Sequence, residues 1–290
     1  MPARQPFTTL CQAAARKPKV SRADMHIHTV HSDGRYTPAE VVDLARRSGL
    51  AAVAITDHDT LGGVLAAQTA ARGLDLEVIS GVEISSRYRD REIHLLGYFV
   101  DLNNTELAEA LSKMRLGRVE RFELMRSRLR EAGVSVPDTP TDDLRDKSLG
   151  RRSLAELLVE SGRVGSIREA FNRFLGDGSA FTTPKPLLEA EQALRLIRLA
   201  GGVASWAHPA YDFTMSALPE LRSWGLSAIE AVYPGYKKSK TLELRTWATA
   251  NGLVITGGSD CHGPDSPLRA VGAVTISQEE LELVRARLPS

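Results

Sequence analysis

The sequence predicts an α/β fold of the barrel type, on three observations. Seven apolar, β-rich runs lie near residues 23–28, 51–56, 76–82, 92–99, 202–207, 227–233 and 252–258. Helical patterns intervene between them, and polar side chains collect where most of the runs end. Strands that alternate with helices favour a parallel β/α barrel or a closely related α/β fold, in which functional residues gather at the carboxyl ends of the strands.

Capping-box patterns predict the first residues of two helices. Thr37-Pro-Ala-Glu40 is a capping box with proline at the first helical position, and the apolar pattern that follows ends at Gly49. Ser277-Gln-Glu-Glu280 opens the last helix in the same way. We therefore expect helices after the first strand and at the end of the chain.

The middle of the chain breaks the strand and helix rhythm. It predicts a long helix from Thr105 to Ala132 and shorter helices near 152–162 and 166–175, without a clear strand. We interpret 104–185 as an inserted helical domain that caps the substrate, and 23–103 with 186–290 as the barrel. The long helix carries arginines 115, 118, 121, 126, 128 and 130 among glutamates. They form either a solvated face of mixed charge pairs or a basic wall for a phosphate-bearing substrate.

Residues 1–22 contain five lysines or arginines and no acid. Their apolar patch is too short and too polar for a signal peptide. We expect a disordered basic extension, with a transit peptide as the alternative.

Composition narrows the class of protein. The chain has 290 residues, 42% of them hydrophobic and 25% charged, with a net charge of +1. This balance predicts no membrane association and no binding to duplex DNA, and no apolar run approaches the roughly 18 residues that span a bilayer. Two cysteines, Cys11 and Cys261, cannot form a disulfide framework, so we expect a cytoplasmic protein. Protein partners are left open.

Six of the seven histidines lie in short segments that also hold carboxylates. His26 and His28 alternate along a strand, so both imidazoles point to one side. Two such histidines alone are more often ordinary surface or core residues. The whole set indicates metal binding, because many buried imidazoles and carboxylates would be costly unless they shared cations or one another. The nine candidate ligands are His26, His28, Asp33, His58, Glu83, His94, His208, Asp260 and His262.

Imidazoles and carboxylates without thiolates suit Mn²⁺, Fe²⁺ or Zn²⁺, and the carboxylates favour the harder ions, Mn²⁺ first. Nine ligands exceed the needs of one cation, so we expect two or three ions per chain that share a bridging carboxylate. Closely spaced metals clamp the attacking and leaving oxygens of a phosphoester displacement. Hydrolysis of a phosphoester is therefore the predicted reaction.

Five blocks carry a family resemblance. They are Asp24-Met-His-Ile-His-Thr-Val-His-Ser-Asp-Gly34, Ile55-Thr-Asp-His-Asp-Thr60, Gly81-Val-Glu-Ile-Ser85, Ala207-His-Pro209 and Gly258-Ser-Asp-Cys-His-Gly263. In this order they resemble the PHP (polymerase and histidinol phosphatase) family over most of the chain. The resemblance implies a distorted seven-stranded (β/α)7 barrel with a trinuclear metal centre.

Carried over by position, the resemblance implies three sets of ligands. The first metal would be held by His26, His28, Glu83 and Asp260; Glu83 would bridge to a second, held also by His94 and His208; Asp33, His58 and His262 would hold the third. His31 is left as a surface residue or a neighbour of the ligands. Asp57 is expected to orient His58 or its neighbours rather than bind metal.

The insertion is similar to the branch of nucleoside 3′,5′-bisphosphate phosphatases and 5′ to 3′ exoribonucleases of short RNA. The similar segments are Gly150-Arg-Arg-Ser-Leu-Ala155, Ala170-Phe171, Phe174-Leu-Gly176, Thr183-Pro-Lys185 and Gly201-Gly-Val203. The chain departs from that branch at Ser153, where the branch has a histidine that can contact substrate phosphate.

The implied function is hydrolysis of the 3′-phosphate of a nucleoside 3′,5′-bisphosphate, or of the 5′-terminal linkage of short RNA, by a hydroxide that bridges two metals. Catalytic roles are expected for His208, Arg151 and Asp260, with His208 a candidate to protonate the leaving oxygen. Substrate contacts are expected from Arg151, Arg152, Lys185 and Tyr233, the tyrosine by stacking on a base. Two alternatives stay open: a phosphatase of another small ester such as histidinol phosphate, and a non-catalytic metal-binding module.

Overall fold

The computed structural model of the protein describes residues 21–138 and 148–289. Residues 1–20 of the predicted extension lie outside this range. The last predicted residue of that extension, Arg22, already belongs to the first strand. The barrel therefore begins one residue earlier than predicted.

Nine strands form one mixed sheet in the described part of the chain. Their bounds are β1 Arg22–Ile27, β2 Ala52–Ile55, β3 Glu77–Tyr88, β4 Arg91–Tyr98, β5 Leu188–Glu189, β6 Val203–Trp206, β7 Leu226–Val232, β8 Val254–Gly257 and β9 Ile276–Ser277. The strand order is β8-β7-β6-β4-β3-β2-β1-β9, and β5 pairs with β3. Each of the seven predicted runs overlaps one of the longer strands, and the predicted α/β barrel class is confirmed.

Strand β4 runs against its neighbours, which distorts the barrel. It pairs antiparallel with β3 and with β6, whereas β1–β2, β2–β3, β6–β7 and β7–β8 are parallel. Only Arg89 and Asp90 separate β3 from β4, and Arg89 takes a positive φ of 53°. So short a link joins antiparallel strands, because a parallel crossover needs a dozen residues or more.

The sheet closes almost completely between β1 and β8. Just beyond β8, Cys261 forms a parallel bridge with Ile27 of β1. A Cβ atom on Gly258 would lie 2.3 Å from the backbone nitrogen of His26. Glycine at this position therefore lets the end of β8 approach β1, and so brings the residues that follow both strands together.

Helices surround the sheet and form the inserted segment. They are α1 Pro38–Arg47, α2 Gly62–Ala70, α3 Thr105–Glu131, α4 Arg151–Glu160, α5 Ile167–Ala170, α6 Ala190–Leu199, α7 Tyr211–Ser223, α8 Lys238–Ala250 and α9 Gln278–Arg285. A π-helical turn, Phe171–Leu175, continues α5, and a 3₁₀ turn spans Pro267–Arg269. Both predicted capping boxes form, Thr37 with Glu40 and Ser277 with Glu280.

Helix α3 links the barrel to the insertion without a break. Leu107 and Leu111 in its first half pack in the apolar cluster that covers the sheet. Phe122, Met125 and Leu129 in its second half pack in a separate cluster with α4 and α5. The inserted segment thus has an apolar core of its own, while the first half of its first helix packs against the barrel.

Two observations bear on the compartment. Cys261 is a buried free thiol, while Cys11 lies outside the described residues. Within the described ranges no helix combines the length and the apolar character that crossing a bilayer requires. The cytoplasmic location stays a prediction.

Candidate metal centre and substrate cleft

All nine side chains that the sequence nominates as metal ligands meet at one end of the barrel. Eight of them form three overlapping groups whose potential ligand atoms lie within 4.8 Å of one another: His28, Asp33, His58 and His262; His26, His28 and Asp260; and His58, Glu83 and His94. The ninth, His208, has its Nε2 3.0 Å from Glu83 Oε1. The turn after β1, the centre of β3, and the ends of β2, β6 and β8 supply most of them.

Glu83 lies at the middle of this cluster and is 1% exposed. Its Oε1 lies 2.8 Å from His94 Nδ1 and 3.0 Å from His208 Nε2. Its Oε2 lies 3.3 Å from His26 Nε2, 3.2 Å from His28 Nε2 and 3.1 Å from His58 Nδ1. One carboxylate thus faces five imidazoles, the arrangement that a bridging ligand requires.

Asp260 presents one oxygen to the histidines and the other to its own supports. Oδ1 lies 3.2 Å from His28 Nε2 and 3.4 Å from His262 Nδ1. Oδ2 accepts a hydrogen bond from the Tyr233 hydroxyl at 2.6 Å and another from Arg269. Because Oδ2 is occupied, a metal would meet Asp260 through Oδ1.

The group formed by His28, Asp33, His58 and His262 contains two buried polar atoms that make no hydrogen bond with the described residues. These atoms are Asp33 Oδ1 and His58 Nδ1. Asp33 Oδ1 lies 3.3 Å from His262 Nε2, and His58 Nδ1 lies near Glu83. Buried polar atoms without partners are rare, and an ion is one of the common explanations. The donor set of imidazole nitrogens and carboxylate oxygens therefore fits a divalent cation.

The charges of the cluster compensate one another. Burial opposes ionisation of Glu83, yet the histidines around it, His58 and His94 first, hold its pKa well below the usual value. Burial also disfavours the imidazolium of His28, but hydrogen bonds with Asp260 and Glu83 raise its pKa to about 10. In the protein alone, a proton on His28 thus offsets part of the carboxylate charge, as a bound cation would.

The groups overlap more than the ligand sets carried over from the family. His58, assigned to the third metal, also lies in the group with Glu83 and His94. His28, assigned to the first metal, also lies in the group with Asp33 and His262. Both histidines stand between neighbouring groups, so the division into three sets stays a prediction.

Glu230 supports the centre, and the sequence interpretation missed it. Its Oε1 lies 2.9 Å from His26 Nδ1, and its Oε2 accepts the backbone N–H of His208 at 2.7 Å. His208 needs that support, because its φ of 30° is unfavourable for a residue other than glycine. A single acid within the apolar run Leu226–Val232 is the signal that identifies such a residue.

Asp57 and Asp59 lie on either side of His58 and have different roles. Asp57 accepts the backbone N–H of Thr29 at 2.7 Å and the hydroxyl of Ser32 at 2.6 Å, which fixes the turn between His28 and Asp33. Asp59 Oδ1 accepts the backbone N–H of Ser85, and its Oδ2 pairs with Arg118. Neither aspartate belongs to a metal group of the described residues.

A cleft of about 550 Å³ opens beside Asp33 and His58. Its other walls come from α3, the start of α4, and residues 177–185. The predicted substrate contacts Arg151, Arg152 and Lys185 all line it. The cleft is therefore the natural place for a substrate that reaches the metal centre.

Each of these three cations also has an acidic partner. Arg151 Nη1 lies 2.6 Å from Asp177, whose side chain is 95% exposed, and Arg152 Nη2 lies 2.9 Å from Asp265. Lys185 Nζ lies 2.6 Å from Glu92 Oε1 and 3.3 Å from His94 Nε2. Lys185 thus directly contacts one of the predicted ligands.

Tyr233 and Ser153 both form hydrogen bonds within the protein. The Tyr233 hydroxyl is engaged with Asp260, although its ring remains 5.2 Å from the ring of His208. Ser153 accepts the backbone N–H of Gly150 at 3.3 Å and is absent from the described lining of the cleft. Replacement of histidine by serine there leaves the cations of the cleft in place.

The arginines of α3 do not form a uniformly solvated face. Arg118 is 3% exposed and donates its Nε–H to Asp59 Oδ2 at 2.7 Å and an Nη1–H to the carbonyl of Leu149. Arg126 is 8% exposed and pairs with Glu123. Two of these arginines are therefore buried, Arg118 against Asp59 of the barrel and Arg126 within the insertion.

Comparison with known proteins gives the class. The PHP domain family matches residues 24–133. A 5′-3′ exoribonuclease of Haemophilus influenzae is 31% identical over 246 residues, which cover 83% of this chain and 90% of the relative. A 3′,5′-nucleoside bisphosphate phosphatase of Chromobacterium violaceum is 31% identical over 266 residues, which cover 87% and 91%. The chain belongs to the PHP family of phosphoesterases, and the predicted family is confirmed.

Other relatives show how far substrates diverge within this class. A phosphoribosyl 1,2-cyclic phosphate 1,2-diphosphodiesterase of Eggerthella lenta is 32% identical over 260 residues, covering 86% of this chain and 97% of the relative. The crystal structure of a Bifidobacterium adolescentis protein assigned as a metal-dependent phosphoesterase superimposes with a TM-score of 0.83 at 29% identity. It covers 94% of this chain and 99% of that one. The shared element is thus the phosphoester rather than one substrate.

Proposed function

We propose that this protein is a metal-dependent enzyme that hydrolyses a phosphate ester of a nucleotide. The substrate is the 3′-phosphate of a nucleoside 3′,5′-bisphosphate or the 5′-terminal linkage of a short RNA. The observation that carries the proposal is the cluster of nine imidazole and carboxylate side chains around Glu83, open to a cleft lined with cations. Two relatives that match more than four-fifths of the chain support it: one is named a 5′-3′ exoribonuclease and the other a 3′,5′-nucleoside bisphosphate phosphatase.

The nine side chains would hold two or three divalent ions, Mn²⁺ first, with Fe²⁺ or Zn²⁺ as alternatives. When bound, such ions supply an activated water and neutralise charge on the phosphate. Glu83 would bridge two of them, since its two oxygens face different histidines. Asp260 would use Oδ1 alone, because Tyr233 and Arg269 hold its other oxygen.

Arg151, Arg152 and Lys185 would bind and orient the phosphate groups. Arg151 and Arg152 are the first two residues of α4, so the positive end of the helix dipole adds to their charge. The Arg151–Asp177 pair is mostly exposed and therefore weak, so an arriving phosphate can replace Asp177. Guanidinium groups suit this task, because their paired N–H donors match two phosphate oxygens.

His208 has two proposed roles that exclude each other. Its Nε2 lies 3.0 Å from Glu83, which places it for a metal. Its side chain is also 28% exposed, the highest of the histidines around Glu83, which places it for proton donation to the leaving oxygen. The ring of Tyr233 beside it would stack on the base.

The test is release of phosphate by the Mn²⁺-loaded protein from adenosine 3′,5′-bisphosphate. Histidinol phosphate, a 5′-phosphorylated trinucleotide and a cyclic ribose phosphate are assayed in parallel. We expect the bisphosphate or the trinucleotide to be hydrolysed faster than histidinol phosphate and the cyclic ribose phosphate. Preference for histidinol phosphate or the cyclic ester would replace the nucleotide assignment with that substrate.

A pair of histidine variants separates catalysis from folding. His28→Ala removes a side chain from two of the metal groups, whereas His31→Ala removes a nearby histidine that belongs to none of them in the described chain. We expect His28→Ala to abolish turnover and His31→Ala to retain it. Metal binding without turnover of any ester would instead favour the non-catalytic module.

A further inference from the structure

Arg121 differs from the other arginines near the cleft. It lies on α3, is partly exposed, and lines the cleft with Arg151 and Lys185. Within the described chain it forms no ion pair with a carboxylate, whereas Arg118 pairs with Asp59 and Arg151, Arg152 and Lys185 have acidic partners as well. Among the described residues, the cleft therefore contains a guanidinium that pairs with no carboxylate.

The side chain of Arg121 is nevertheless held in place. Its Nε donates a hydrogen bond to the backbone carbonyl of Thr183 at 2.8 Å. That bond uses the inner donor of the guanidinium, and among the described residues neither terminal nitrogen has a hydrogen-bond partner. A fork fixed at its base, with its outer N–H groups available in a cleft, is suited to an oxyanion with two acceptor oxygens.

The surroundings of Arg121 make an anion favourable there. Burial first, and then the neighbouring charges of Arg151 and Arg118, lower the pKa of Arg121 to about 10, against a smaller opposing effect of Glu92. The guanidinium still carries its charge at neutral pH. Bringing a phosphate to this position would relieve the repulsion among three cations.

The position of Arg121 also indicates which phosphate it would meet. Lys185 lies 3.3 Å from His94, a predicted ligand, and so lies beside the reacting ester. No hydrogen bond or ion pair among the described residues joins Arg121 to a predicted ligand, and its anchor Thr183 belongs to the wall formed by 177–185. The hydrolysed phosphate must contact the metals, whereas Arg121 is anchored to the wall formed by 177–185 and would be available to a second phosphate in the same cleft.

We propose that Arg121 binds the phosphate that is not hydrolysed, and thereby selects nucleotides that carry a second phosphate over those that carry only the reacting one. The inference rests on the proposed function and deepens it by naming a specificity-determining residue. Arg121 contributes affinity for that group and has no part in bond cleavage.

The test compares two substrates that share the reacting ester. Adenosine 3′,5′-bisphosphate and adenosine 3′-phosphate differ only in the second phosphate. For the Mn²⁺-loaded wild-type protein, kcat/KM should be higher for the bisphosphate. Arg121→Gln should reduce that preference about 10- to 100-fold, the range expected for losing hydrogen bonds to a charged group. Arg121→Lys should reduce it less, since the charge remains and the fork is lost.

Arg128→Gln is the matched control. Arg128 also lies on α3 and donates to the carbonyl of Thr182 at 3.0 Å, but it does not line the cleft. If Arg121 only anchored the neighbouring loop, both variants would reduce kcat/KM equally for the two substrates. Equal losses for the two substrates in both variants would overturn the inference. An unchanged preference in Arg121→Gln, or the absence of a preference in the wild-type protein, would also overturn it.

The inference and the proposed function fail in different ways. The proposed function is refuted if the wild-type protein turns over neither nucleotide and releases no mononucleotides from the 5′-phosphorylated trinucleotide. Both compounds then remain intact, and calorimetry measures their binding to the Mn²⁺-loaded wild-type and variant proteins. Tighter binding of the bisphosphate that is lost in Arg121→Gln and kept in Arg128→Gln still supports the role of Arg121; equal binding in all three proteins refutes it.

Discussion

Glu230 and His26 are joined by a buried contact, with 2.9 Å between Glu230 Oε1 and His26 Nδ1 and neither side chain exposed to solvent. The contact leaves His26 Nε2 directed at Glu83 and Asp260. A carboxylate behind a histidine fixes the orientation of the ring and raises its basicity as a ligand. Strand β7 thus supports a cluster to which it contributes no predicted ligand.

We expect Glu230→Gln to weaken Mn²⁺ binding by about 10- to 100-fold, the usual effect of losing such a support. The amide keeps the shape of the side chain, but it cannot accept from both His26 and the backbone of His208. Titration of the metal-free protein with Mn²⁺ measures the change. Glu77→Gln, which alters a surface pair with Arg285, is the control. Equal affinities in the two variants would show that Glu230 does not support the metal ligands.

Asp33→Ala and His262→Ala should each remove one ion per chain while the fold is retained. Both side chains lie in the group that contains the unpartnered Asp33 Oδ1. Elemental analysis of the purified variants gives the metal content, and circular dichroism gives the fold. His31→Ala should contain as much metal as the wild-type protein. Unchanged metal content in both test variants would contradict the assignment of a third ion.

Removal of metal should lower the melting temperature. A ligand that binds only the folded state stabilises it by about 2.7 kcal/mol at a concentration one hundred times its Kd. Calorimetric scans with chelator, and again after Mn²⁺ is restored, measure the loss and its recovery. His28→Ala should respond less to chelator, because a ligand of two groups is missing. If chelator left the melting temperature of the wild-type protein unchanged, this would argue against bound metal.

Arg118→Met should destabilise the protein by about 3–5 kcal/mol, because it leaves the buried Asp59 without its cation. The free energy of unfolding in urea measures the loss. Arg46→Met breaks an exposed pair with Asp43 and should cost less than about 1 kcal/mol. A similar small loss in Arg118→Met would mean that water or another group compensates Asp59.

The sequence predicts those parts of the fold that depend on residues close together in the chain. Alternation along β1 places His26 and His28 on one side, and the capping boxes of α1 and α9 involve residues three positions apart. The short link at Arg89 indicates the antiparallel direction of β4, whereas the alternation of strands and helices favours a parallel barrel or a closely related α/β fold. Strand identity and strand direction thus depend on different signals.

Contacts between distant segments could not be predicted from local pattern. Glu230 meets His26 across 204 positions, and Arg118 meets Asp59 across 59. Six arginines on one helix look alike in sequence, yet burial separates Arg118 from Arg121. Which arginine is paired and which faces the cleft depends on how α3 lies against the barrel.

Because α3 is continuous, its helical geometry fixes the orientation of the inserted segment relative to the barrel. Leu111 is fixed on the barrel and Arg121 on the wall of the cleft, with uninterrupted helix between them. Each residue added or removed there would rotate everything beyond it by about 100° and shift it by about 1.5 Å. Length changes in this stretch are therefore tolerable only near whole numbers of turns, because only these keep Arg121 on the side of the helix that lines the cleft.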